Sequence, residues 1–178
     1  YVLKEMDAAR AGQLDTFDEA FWGHIGYTVG NAARALVMGL TGSHFVSVPT
    51  NIAPEARRYY QQLTRFSAAF ACIADLSMGS LGGALKRKEK LSARLGDILS
   101  LMYLASATLK RFEDDGRPAA DAPLMHWAIW DCMYKIQIAF EGVIDNFPNR
   151  LFATLLRRVA VFPLGRPYPV PPDALGHA

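Results

Sequence analysis

Between Lys86 and Phe112 the chain places Leu91, Leu95, Ile98, Met102, Ala105, Leu109 and Phe112 at steps of 4, 3, 4, 3, 4 and 3. That period winds one apolar seam along an α-helix, and the two-residue alternation of a half-buried strand cannot produce it. Gly96, Ser100 and Ala107 stand opposite the seam where a row of charges would be ordinary, so a second neighbour is expected there and the helix is expected at the centre of its domain. A basic cluster, Lys86, Arg87, Lys88 and Lys90, leads into it.

The same rhythm recurs on both sides. Tyr59, Leu63, Phe66, Phe70, Ile73 and Ser77 predict a helix that starts at Pro54 and breaks at Gly82 and Gly83. Ile129, Met133, Ile136, Phe140, Val143 and Phe147 predict another, opened by Asp121 and Pro123 and stopped by Pro148. An earlier helix is expected after Asp15, an N-cap candidate, running to Gly39 or Gly42. Glu113, Asp114, Asp115, Gly116 and Pro118 read as an acidic turn, and Arg150 to Val161 as a short fifth helix. With no strand pattern, the expected fold is all-α: an antiparallel four-helix bundle over residues 1–162 with a short fifth helix, and an irregular Pro-rich tail over 163–178 lying on its surface.

A chain of 178 residues can bury a core without disulfides. Its two cysteines, Cys72 and Cys132, sit inside apolar helical patterns and are expected as packed thiols in a reducing compartment. The beginning YVLKEMDAAR offers neither an initiator Met nor a signal sequence, and a fragment of a longer protein is expected. Ala35 to Pro54 lacks charge over roughly the length of a membrane span, but Gly39, Gly42, Pro49 and Asn51 give it the character of a helix end and loop. No transmembrane helix is expected. A net charge of +2 argues against a dedicated nucleic-acid binder.

Chemistry is hard to place on this pattern. The Glu-x-x-His pairs of di-iron bundles do not occur, and His24, His44, His126 and His177 lack a second ligand at helical spacing, so no metal site is expected. Gly79, Gly82 and Gly83 match neither the dinucleotide nor the P-loop pattern. Cys72 lacks a paired His, no G-x-S-x-G elbow occurs, and no catalytic residue is assigned. Glu19, Glu141 and Asp145 are expected on solvated faces, and Phe21, Trp22, Trp127 and Trp130 as core anchors. For the basic cluster two readings stand: charge that offsets the carbonyls at a helix C-terminus, or a patch of Lys86, Arg87, Lys88, Lys90 and Arg94 that meets an anionic membrane or an acidic partner, at roughly 1 kcal/mol per cation. Arg157 and Arg158 form a second basic pair.

The run SMGSLGGALKRKEKLSARLGDILSLMYLASATLKRFEDDG resembles the C-terminal region of the long bacterial acyl-coenzyme A dehydrogenases of FadE type. HIGYTVGNAARALVMGLTG, RYYQQLTRFSA, PLMHWAIWD, NFPNR and FPLGRPYPVPPDAL agree in order, covering nearly the whole chain. The resemblance implies an accessory helical domain of an FAD-dependent enzyme that converts acyl-CoA to trans-2-enoyl-CoA, the first step of fatty-acid β-oxidation. The flavin and the glutamate base would belong to the preceding core of the same polypeptide, with no cofactor held by this region. It further implies a homo-oligomer in the bacterial cytoplasm, with contact to the inner-membrane surface as an additional expectation. The inclusion of Glu89 weakens the lipid reading. The competing expectation is a stand-alone helical interaction module without enzymatic role.

Overall fold

The computed structural model describes residues 2–173, apart from the side chains of Val2, Met6 and Lys86; His177 and the end of the tail lie outside the described residues. The chain is all-α as expected, 77% helical and without a strand among the described residues. Six helices follow in order: α1 Val2–Ala11, α2 Leu14–Leu40, α3 Arg57–Leu81, α4 Glu89–Asp114, α5 Ala122–Asp145 and α6 Arg150–Leu155. A 3-10 turn, Pro54–Ala56, leads into α3, a second, Gly82–Arg87, joins α3 to α4, and α6 continues as a π turn over Leu156–Val161. The additional α1 has no counterpart in the sequence expectations, and α2 begins one residue before Asp15, with Gln13 rather than Asp15 at the N-cap position.

The seam of α4 is buried as its spacing requires: Leu91, Ile98, Met102, Ala105, Leu109 and Phe112 are all in the core, with Leu95 half-buried against it. They face α5, which returns antiparallel after the turn at Gly116 and Arg117, both at positive φ. The expectation that α4 is the central helix is overturned. Gly96, Ser100 and Ala107 are exposed, and no second neighbour covers that side.

The centre belongs to α3 instead, which packs on α2, on α4 and on the Leu156–Val161 turn. Phe66 and Ile73 are fully buried, and the Phe66 ring meets Phe140 of α5 at 5.9 Å between centroids. By length and composition the run Pro54–Leu85 could also cross a membrane; here it carries the core of the fold.

Polar residues of α3 fasten the long connection from α2. Gln61 donates to the carbonyls of His44 (3.1 Å) and Val46 (3.3 Å), and Gln62 and Arg58 both donate to Gly42 O. At the far end of this connection Glu113 accepts from Ala53 N at 2.8 Å, and Arg117 donates to Asn51 O at 2.7 Å. Buried backbone groups without water must find such partners, and Gln61 and Gln62 supply them from buried positions beside the seam.

The C-terminal segment fills the space beside α2 and α3. Arg65, buried in α3, donates to Val161 O at 2.7 Å, and Pro163 lies on Gly39 so closely that a Cβ there would sit 2.5 Å from the proline ring. The described tail lies on the surface as expected, residues 164–173 being exposed apart from Tyr168 and Pro171, and Tyr168 anchors it in the core. Tyr168 is buried against Phe66 and edge-on to Trp130, and the amide of fully buried Gln137 holds both its N–H (3.0 Å) and its carbonyl (2.6 Å). Trp127 and Trp130 donate their indole N–H to Pro172 O (2.9 Å) and Pro169 O (3.0 Å).

Candidate interaction surface

The basic cluster occupies the corner between α3 and α4, where Arg87, Lys88 and Lys90 are exposed. Two helix ends meet there with opposite polarity. Positive charge after the C-terminus of α3 offsets its carbonyls, but Lys88 at the N-cap of α4 and Lys90 in its first turn face the positive end of that helix. The helix-terminus explanation therefore covers only the leading part of the cluster, and Glu89 supplies the acid that the first turn of α4 favours. Arg94 is not part of the corner: its side chain lies across Gly142 of α5, beside Asp97 and Lys135 in an open groove of about 590 Å³.

The second basic pair divides as well. Arg157 is bound to Asp145 at 2.6 Å and lies 3.9 Å from Glu141, which also pairs with Arg166 at 2.7 Å. Glu141 and Asp145, expected on a solvated face, thus tie α5 to the C-terminal segment.

The histidines are spread over separate contacts: His24 with Glu5 at 3.0 Å, His44 with Arg58 at 3.3 Å and His126 with the Tyr59 hydroxyl at 2.9 Å. Among the described residues no three His, Cys, Asp or Glu side chains converge on a point. Cys72 is buried as expected, and burial pushes its thiol up to about 11, with nearby Asp75 adding to the shift. Cys132 is half-buried and its thiol is also raised by burial. Thiols held in the protonated form are poor nucleophiles.

What stands out is uncovered apolar surface. The fully buried positions of α2 are Ala20, Asn31, Ala35 and Gly39, all small or polar, whereas Trp22 is 67% exposed and Val29 63%. Phe21 and Trp22 are therefore not core anchors. Small residues on the inner face let α3 approach closely, and the large ones are left outside. Trp127 and Trp130 are half-buried and act through their N–H groups on the tail. The outer face of α4 presents Leu99, Tyr103 (73% exposed) and Leu104 around Gly96 and Ser100.

Two cavities lie along the inner flank of α2. One of about 490 Å³ opens between α2 and α3, with Glu5, His24 and Asp75 among its lining residues. The other, about 220 Å³, has the apolar lining of Val29, Cys72, Leu76, Leu155 and Val159. Neither fits a flavin dinucleotide, because its pyrophosphate needs backbone N–H groups or cations and the charged groups lining the larger cavity include two carboxylates. Gly79, Gly82 and Gly83 fall at the exit of α3 rather than between a strand and a helix.

The sequence pattern alone did not mark Arg65 or Gln137 as organising residues. Their signal was a polar side chain next to a seam position, Phe66 and Ile136 respectively, which periodicity counts as noise.

These features define an all-α helical domain with two uncovered apolar faces and an anchored C-terminal strap. The chain belongs to the acyl-CoA dehydrogenase C-terminal family of bacterial type, whose family model matches residues 1–178. No solved structure matches it.

Proposed function

We propose that this chain is the C-terminal packing domain of an FAD-dependent acyl-CoA dehydrogenase, which converts acyl-CoA to trans-2-enoyl-CoA in the first step of fatty-acid β-oxidation. In this reading the flavin and the reacting groups belong to the catalytic core of the same polypeptide, and the chain supplies a surface on which that core rests. The observation that carries the reading is the outer face of α4, where Leu99, Tyr103 and Leu104 are more than half exposed on a helix whose inner seam is buried at every position but Leu95. Apolar side chains gathered on one face mark an interaction site more often than an idle surface.

Gly96 and Ser100 add to this by letting a neighbouring element approach the helix axis closely. The test places Leu99→Asp and Leu104→Asp in the complete enzyme. The isolated chain should keep its helical circular dichroism, because both positions face solvent, while the enzyme should lose FAD retention and thermal stability together. An enzyme indifferent to both substitutions, or a purified chain that binds FAD stoichiometrically by itself, overturns the reading.

A further inference from the structure

We propose that the outer face of α2 is a two-fold interface with a second copy of this chain. The helix is amphipathic in the reverse sense. Its buried positions are small or polar, while Trp22, Val29, Val37 and Leu40 are more than half exposed, so the face that turns outward from Trp22 through Gly26, Val29, Ala33, Val37 and Leu40 is the apolar one. No Asp, Glu, Lys or Arg stands between Glu19 and Arg34. A Cβ added at Gly26 or Gly30 would meet nothing within 4 Å, so these positions leave open space on the outer side into which another helix can settle.

The occupant is identified by how this face matches itself. A two-fold axis passing in front of this face, at the level between Tyr27 and Thr28, runs a partner helix antiparallel. Trp22 then lies opposite the partner's Ala33, and Gly26 lies opposite the partner's Val29, so large side chains meet small ones around the axis and the same contacts repeat on its other side; farther out Val37 and Leu40 reach the level of the partner's Asp18 and the partner's Asp15. The charges that bound the apolar stretch match as well. Glu19 comes within two residues, about 3 Å along the axis, of the level of the partner's Arg34. In the single chain Glu19 has no ion pair among the described residues, and the one side-chain hydrogen bond of Arg34 is to Asn31 at 3.3 Å. Around the axis the face is complementary to its own copy in size and, through Glu19 and Arg34, in charge, as an isologous contact requires.

This interface is distinct from the α4 face assigned to the flavin-binding core, so either assignment can fail without the other. The test uses sedimentation equilibrium of the purified 178-residue chain. Glu19→Arg and Arg34→Glu each set like charges against one another twice across the axis, and each should raise the dimer dissociation constant at least about tenfold. Mixed in equal amounts, the two variants regain both opposite-charge pairs, and the dimer should return.

As a second measurement, oxidation of the double variant G26C/V29C should give covalent dimers well beyond those of the unsubstituted chain. Unchanged mass in both charge variants, a mixture no more dimeric than its components, or absence of the cross-link overturns the proposal. Unchanged mass is the result expected if another part of the enzyme covers this face.

Discussion

At the scale of single residues, Cys72 shows how burial alone sets chemistry. The thiol lies one turn after Ala69 and beside Ile73, both fully buried. The thiolate would forfeit its hydration there, and its pKa rises from 9.0 to about 11. The folded chain therefore keeps a proton that the unfolded chain releases, and stability present below pH 9 is lost as the pH rises toward 11. The loss traceable to this group should reach about 2 to 3 kcal/mol. Denaturant unfolding at pH 8 and pH 11 should show a smaller decline in Cys72→Ala than in the unsubstituted chain, whatever the substitution costs at pH 8; an equal decline in both would refute the assignment. Burial of Cys72 was legible from its place in an apolar helical pattern. Nothing in that pattern announced Arg65, whose guanidinium is buried by a hydrogen bond to Val161 O contributed from nearly a hundred residues away.

At the scale of elements, spacing together with caps and Gly or Pro stops located the four long helices and the short fifth, but did not rank them. The seam of α4 and the arc of α3 look alike as patterns. Only packing shows that α3 is enclosed on several sides and α4 on one, because Gly96, Ser100 and Ala107 permit a neighbour without supplying it. Among the described residues, Pro and Gly density correctly ruled out regular structure after Val161, but it could not reveal that the tail is an extended ligand for α5. The Gln137 amide serves the Tyr168 backbone as a neighbouring strand would, and two indoles hold carbonyls farther along. Gln137→Ala leaves a buried N–H and a buried carbonyl without partners and should cost about 2 kcal/mol. Removing the partially exposed Trp127 bond by Trp127→Phe should cost at most about 1 kcal/mol. Chemical denaturation of the two variants tests the order; equal losses would show that the strap is held by tyrosine packing rather than by the amide.

At the scale of the whole molecule, the connections between helices are unequal, and so is the resistance to opening. α4 and α5 share the longest seam and meet through fully buried Ile98, Leu109, Ile129 and Ile136. α1 rests chiefly on α2 among the described residues, and of its described side chains only Ala8 is buried. Little apolar area opposes its release, whereas separating α4 from α5 exposes the core itself. Local opening follows such differences in burial. Hydrogen exchange read by mass spectrometry should show the backbone amides of α1 exchanging at least about a hundredfold faster than those at the centre of α4 and α5. If α1 were as protected as the hairpin, its contact with α2 would have to be a structural part of the core.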